Sequence, residues 1–169
     1  MSAPLFYQDD DIRTILRSTK TVAIVGASPK WVRPSSFVMK YLQGKGMRVI
    51  PVNPGHAGKE ILGEPVYASL ADIPHTFDMV DIFRTSEAAA GIVDEAMALS
   101  SDIGLKTIWM QLTVRHDEAA QKAMDAGFDV VMDRCPKIEY GRLSGELGWA
   151  GINSGVFHNK RRVIRPIIN

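Results

Sequence analysis

The chain holds one cysteine, Cys135, in 169 residues. No internal disulfide can form, so nothing in the sequence calls for an oxidising compartment. Any apolar run of membrane-spanning length is missing. The N-terminal stretch MSAPLFYQDDDIR has acids where a secretory leader needs bases. From these absences we expect a soluble cytoplasmic protein with no membrane association. A charge excess is missing too: 20 Lys and Arg stand against 19 Asp and Glu, for a formal net charge of +1. That balance excludes a composition that steers nucleic acid, and 46% hydrophobic residues exclude a disordered one. Internal repeats and low-complexity linkers are absent, and the length suits one domain with a proper core. No residues stand at zinc-ligand spacing, and no Ser/His/Asp or Cys/His arrangement can be identified from spacing.

What is present is organised around Thr21 to Ser36, TVAIVGASPKWVRPSS. Val22, Ala23, Ile24 and Val25 form an unbroken apolar run that Gly26 stops. Such a run reads as a strand buried on both faces. Ser35 or Ser36 then opens an amphipathic helix. The loop between strand and helix start gathers backbone N–H groups and a positive helix end, which suits a phosphate. Lys30 and Arg33 add cationic side chains to the same loop.

Elsewhere strand and helix signals alternate. A short helix follows Asp9, Asp10 and Asp11, with Ile12, Ile15 and Leu16 inward. Phe37, Val38, Tyr41 and Leu42 form one apolar helical face, closed by Gly44 and Gly46. Met47 to Asn53 is a second strand, and Pro51 within it asks for an edge position or a bulge. A long loop runs through His56 and Lys59, with one helical turn near Ser69 to Ile73. Met79 to Arg84, Lys106 to Leu112 and Phe128 to Met132 are further strands. Helices lie between them, one capped by Ser86 and one ending at Gly127. Asp81 interrupts an apolar run, so it needs a polar partner or an exposed position. The pattern predicts an α/β fold: a parallel sheet of about five strands with helices on both faces. A ligand then sits at the carboxyl ends of the strands, where the winding reverses beside the first strand.

Several residues fall at that edge. Gly26, Ala27 and Ser28 follow the first strand, and Asn53 and Pro54 end the second. Phe83 and Arg84 end the third, Gln111 ends the fourth, and Cys135 lies past the fifth. Each has a plain structural reading as well: a turn glycine, a solvated Arg33, an Asn-Pro turn, a packed thiol. The nicotinamide fingerprint needs three spaced glycines and an acid at the end of the second strand. Here Gly26 stands alone before Ala27-Ser28-Pro29, and Asn53 replaces the acid. A ligand with an additional phosphate fits better, because Arg33, Lys59 and Arg84 supply cations. A 3′-phosphorylated ADP group, as in coenzyme A, meets that demand, with NADP the nearest competitor. A Walker-type loop is absent.

The segments VAIVGASPKWVRPSSFVMKYL, MRVIPVNPGHAGKEILGEPVYASLADIP, DMVDIFRTSEA, WMQLTV and VVMDRCPKIEYGRL closely resemble the small CoA-binding-domain proteins. These are stand-alone relatives of the CoA-binding domain of the succinyl-CoA synthetase alpha subunit. The resemblance covers about Asp11 to Leu143 and implies a Rossmann-like fold that binds coenzyme A or an acyl-CoA. It assigns Gly26, Ala27, Ser28 and Arg33, with Lys30 and Ser35 beside them, to the phosphates. Asn53, Pro54 and Lys59 would border the adenosine and its 3′-phosphate. Phe83 and Arg84 would line the adenine side and Gln111 the far wall. The synthetase's phosphohistidine loop has no counterpart, so its activity does not carry over and no catalytic residue is assigned.

Cys135 is a candidate contact for the CoA thiol, through a mixed disulfide, if Arg134 turns toward the sulfur and lowers its pKa. The competing reading is a packed thiol. Residues 1–143 form the CoA-binding domain in this reading. Residues 144–169 form an arm that packs back on it or meets a protein partner or second copy. Lys160, Arg161, Arg162 and Arg165 beside Val163, Ile164, Ile167 and Ile168 give that arm a basic, apolar character. Four bases in a neutral chain are a poor footprint for nucleic acid. Besides a CoA-binding module, an NADP-dependent oxidoreductase and a CoA-responsive regulatory protein remain as alternatives.

Overall fold

The structure, a computed structural model, describes residues 5–145. The expected C-terminal arm, apart from its first two residues, lies outside the described residues. Helix α1 (Asp9–Ser18) leads into β1 (Thr21–Val25), α2 (Pro34–Gly44) and β2 (Arg48–Val52). A two-residue pair, β3 (Glu60–Ile61) and β4 (Glu64–Pro65), precedes β5 (Met79–Ile82) and α3 (Ser86–Ile103). Then come β6 (Thr107–Met110), α4 (Asp117–Asp125), β7 (Asp129–Val131) and α5 (Pro136–Leu143). Five strands form one parallel sheet in the order β2-β1-β5-β6-β7.

Alternation along each strand splits the core into two layers. Val22 and Ile24 of β1 face α1 and α2, where they meet Ile12, Leu16, Val38, Met39 and Leu42. Ala23 faces the other layer, with Val80, Ile82, Ala89, Val93 and Ala120 from β5, α3 and α4. Both faces of the central strands are thus covered, which explains why β1 reads as a continuous apolar run and why β5 and β6 are apolar apart from Asp81 and Thr107.

Pro51 lies on β2, the edge strand, where a missing N–H costs no ladder bond. Its carbonyl still serves, accepting from Tyr67 N at 3.1 Å as the following segment covers the edge. Gly127 has φ +96° just after α4, as its expected role requires. Other expectations need correction. Thr85, not Ser86, caps α3, accepting from Ala88 N, and the Ser86 hydroxyl instead accepts from Arg115 N. Helix α2 starts at Pro34, whose fixed φ and missing N–H suit the first helical position. The β3–β4 pair and α5 had no counterpart in the sequence reading. The pair turns on Leu62 and Gly63, both with positive φ, and strands this short carry no periodicity to read.

Candidate functional site

The chain winds from β1 to β2 on one side and then to β5 on the other, so the order reverses beside β1. Loops leaving β1 and β5 diverge there and open the carboxyl edge to a ligand. Gly26 lets the ends of β1 and β5 lie close together at that point. Its φ is +92°, and a Cβ there would lie 2.5 Å from Phe83 O and 2.9 Å from Arg84 Cδ. Only a residue without a side chain lets the two strand ends approach this closely.

The loop after β1 is held by specific bonds. The Gly26 and Ala27 amides donate to Val52 O at 2.9 and 3.3 Å. Ser28 N donates to the Ser35 hydroxyl at 3.1 Å, and Lys30 N to the Ser28 hydroxyl at 3.2 Å. Asn53 Nδ2 donates to Ala27 O at 2.8 Å, while its Oδ1 accepts from Gly55 N at 2.9 Å. The amides of Gly26, Ala27 and Ser28 therefore shape the loop. Arg33 sits at the N-cap of α2 and places no side-chain bond on it. The positive end of this helix carries no side-chain cap, although Ser36 N donates to Arg33 O at 3.0 Å, and its dipole favours an anion. Lys30 and Arg33 are exposed beside it, as are Trp31 and Val32 between them.

The remaining candidates follow β2, β5 and β6. Pro54 begins a single 3-10 turn after Asn53, and Lys59 is exposed just beyond it. Phe83 is half-buried against the α2 layer and Arg84 is exposed. Gln111, 6% exposed, lies at the end of β6. Its Nε2 donates to Asp81 Oδ2 at 3.4 Å, and its Oε1 accepts from Leu112 N at 3.1 Å. Hydrogen bonds thus join Ser28 to Ser35 and Ala27 to Asn53, Phe83 and Arg84 lie close to Gly26, and Gln111 is joined to β5 through Asp81.

Asp81 has the polar partner expected of it, Gln111, but only for one of its two oxygens. It is 0% exposed, its one side-chain bond is the long one from Gln111, and Oδ1 has no partner. Burial pushes its carboxyl well above the usual range, with the Gln111 contact opposing that only in part.

Cys135 caps α5 and is 7% exposed. The indole of buried Trp109 donates to Arg134 O at 2.8 Å and fixes the segment before it. Arg134 does not turn toward the sulfur. Its guanidinium donates to Asp133 O at 2.8 Å and Leu5 O at 3.3 Å, and lies 5.6 Å from the Tyr7 ring centroid. Burial, aided by the nearby Asp81, raises the thiol pKa despite the α5 amides of Ile138 and Lys137. The condition set for an activated thiol is not met.

The sequence does not signal the pairing of Thr113 with Asp133. Both have positive φ, at +70° and +52°, where β6 and β7 end. Thr113 N donates to Asp133 Oδ1 at 2.8 Å, so the two strained turns brace each other. A positive φ is unusual for Thr, and Asp, although enriched there, adopts it too seldom for its type alone to mark the position. Among the described residues, no group of three or more His, Cys, Asp or Glu could hold a metal ion. Among them also, no helix is long and apolar enough to cross a membrane.

A family model described as the CoA binding domain matches residues 20–141. The chain belongs to this CoA-binding-domain family. Similar members include the uncharacterized protein YneT of Bacillus subtilis, 34% identical over 130 residues, 77% of this chain and 92% of that protein. A solved structure of a hypothetical protein from Pyrococcus horikoshii is 39% identical with a TM-score of 0.76, covering 86% of this chain and 99% of that one. An ADP-forming acetate–CoA ligase of Archaeoglobus fulgidus is 36% identical over 76 residues, 45% of this chain but 11% of the ligase. The CoA-binding-domain fold thus accounts for the Rossmann-like sheet expected from the sequence.

Proposed function

We propose that this CoA-binding-domain protein binds coenzyme A or an acyl-CoA through its ADP and 3′-phosphate portion, at the carboxyl edge of β1, β2 and β5. The observation that carries the reading is the N-terminus of α2, which has no side-chain cap and follows a loop with two exposed cations, Lys30 and Arg33, at the reversal of strand order. Pro34 has no N–H and Ser36 N already donates to Arg33 O at 3.0 Å, so the helix dipole and the two cations are what favour a pyrophosphate there. Asn53 replaces the acid that would contact the ribose of NAD, and both its side-chain atoms are engaged by the loop. Lys59 and Arg84, exposed on either side, are the cations for the additional phosphate. The family match and the partial likeness to an acetate–CoA ligase support coenzyme A over other nucleotides.

The test is a melting-temperature panel with coenzyme A, acetyl-CoA, dephospho-CoA, NAD and NADP. A ligand that binds only the native state raises the melting temperature by mass action. Coenzyme A and acetyl-CoA raise it, dephospho-CoA less so, and NAD and NADP leave it unchanged. A shift with NADP and none with coenzyme A overturns the reading.

A further inference from the structure

Trp31 and Val32 hold the two corners of a turn that Arg33 N closes on Lys30 O at 2.9 Å. Turn corners usually carry Gly, Pro, Asn, Asp or Ser. Here they carry apolar side chains that are 74% and 57% exposed. Phe37, one turn into α2, is exposed as well, and Lys40 follows it on the face opposite buried Val38, Met39 and Leu42. From residue 12 to residue 59 the chain has nine Lys and Arg and no Asp or Glu. The outer face of α2 is therefore apolar and basic, without an acid of its own. Its complement stands two helices away. Helix α5 lies between α2 and α1: Tyr140 meets the Tyr41 ring edge-on at 6.0 Å, while Arg142 joins Asp9 at 2.8 Å. Ile138 of α5 is exposed. Beyond it, exposed Phe6 leads into the exposed Asp9, Asp10 and Asp11 at the start of α1. Of the seven exposed large hydrophobic side chains among the described residues, five stand on or next to these three helices. Single ones scattered over the surface would be ordinary; a concentration on one layer marks an interface.

We propose that a second copy of this chain covers this layer, the two copies related by a two-fold axis beside Ile138 of α5. The layer reads base and aromatic on α2, aliphatic on α5, then aromatic and acid at the start of α1. That order is self-complementary under a two-fold axis, because α2 of each copy meets the start of α1 of the other. Trp31 and Phe37 then pack against Phe6, and Ile138 meets its counterpart at the centre. Lys40 faces Asp11 and Asp10, which also pairs with Arg13. Aromatic anchors within a charged rim are the ordinary anatomy of a protein interface. An anionic bilayer fits this layer less well, since a flat surface pressed on α2 also meets the three acids of α1. The contact needs no residue of the C-terminal arm and does not depend on the coenzyme A reading.

The experiment is sedimentation velocity of the full chain over a range of micromolar concentrations. The wild-type chain sediments as a dimer in exchange with monomer, and added salt shifts it toward monomer. Lys40→Glu sets like charges together at both symmetric contacts and weakens the dimer about a hundredfold, about tenfold for each. Asp10→Lys made together with Asp11→Lys does the same. Mixing these two variant proteins restores a dimer between them, because the reversed base of one meets the reversed acids of the other while the second contact stays native. Rescue on mixing also shows that neither variant is misfolded. A monomeric wild-type chain, a dimer indifferent to both reversals, or variants that stay apart when mixed overturns the proposal. Growth beyond the dimer overturns it too, since the contacts then do not close. A wild-type monomer that floats with phosphatidylserine–phosphatidylcholine vesicles overturns it in favour of a bilayer.

Discussion

The side-chain amide of Asn53 donates to the carbonyl oxygen of Ala27 at 2.8 Å, tying the end of β2 to the loop that follows β1. The same side chain accepts from Gly55 N, so one residue fixes both loops at the proposed ligand edge. Asn53→Asp turns a donor into a carboxylate facing a carbonyl oxygen. It should cost about 1–3 kcal/mol of stability, the range for a lost bond that leaves a mispaired group. If Asn53 acts as a brace, Asn53→Asp also weakens coenzyme A without creating NAD affinity. Urea denaturation and a repeat of the ligand panel check both; a gain of NAD binding would show that the loop geometry already suits a dinucleotide.

Gly26→Ala strikes the same junction from the other side. The added Cβ meets Phe83 O at 2.5 Å, and the φ of +92° is strained for any L side chain. The neighbour is backbone in a parallel sheet, so it cannot swing aside. A loss of about 2–4 kcal/mol in equilibrium unfolding is expected, from strain plus displacement of β5. A variant as stable as the parent would mean that the β1 and β5 ends separate freely.

The parallel sheet was legible because each central strand is buried on both faces and therefore spells itself as a run such as Val22 to Val25. Helix α1 was legible for a related reason: Ile12, Ile15 and Leu16 keep helical spacing behind three acids. The positions of Gly26, Asn53 and Gln111 at strand ends followed once the strands were placed. Their bonding did not follow. That the Gly26, Ala27 and Ser28 amides are engaged by Val52 and Ser35 depends on how close the second strand and α2 come, which no local pattern records. Helix α5 went unread because it is short, starts at Pro136 and buries Glu139, so its apolar stripe is interrupted. Cys135 could be placed past the last strand, but the direction of the Arg134 side chain is set by Tyr7 and Leu5, far away in sequence.

Glu139 leads to a separate expectation. Arg142 joins it at 2.6 Å and also joins Asp9 of α1 at 2.8 Å, clamping the first helix to the last described one. Glu139 is 7% exposed. Arg142→Ala leaves that carboxylate partly buried without its cation, which should cost about 2 kcal/mol, between the values for surface and buried pairs. Glu139→Gln made together with Arg142→Ala should recover part of the loss. No recovery would indicate that the guanidinium acts only through packing.

Asp81 makes stability depend on pH in a direction opposite to most carboxylates. Its folded-state pKa is raised above the unfolded value near 3.8, so the folded protein holds a proton that the unfolded chain releases. Its contribution is fully present below the unfolded pKa and is lost progressively as pH rises toward the folded one. Asp81→Asn removes this dependence. The stability of the wild-type protein relative to Asp81→Asn should therefore rise as pH is lowered from 7 toward 4.5, in matched urea titrations. A difference that stays flat over that window would mean that Asp81 ionises normally in the folded protein.

The cations divide the proposed ligand into separable parts. Arg33 stands at the N-terminus of α2, where the pyrophosphate is proposed, and Lys59 stands beyond Asn53, where the 3′-phosphate is proposed. Arg33→Ala should weaken coenzyme A and dephospho-CoA alike, because both keep the pyrophosphate. Lys59→Ala should weaken coenzyme A alone, which makes its affinity approach that of dephospho-CoA. One charge-assisted contact corresponds to about a tenfold change in each case. Both effects should shrink as salt is raised, since exposed charges are screened within about 8–10 Å at moderate ionic strength. If Lys59→Ala weakened both ligands equally, the 3′-phosphate would lie elsewhere, and Arg84, exposed on the far side of Gly26, would be the next cation to replace.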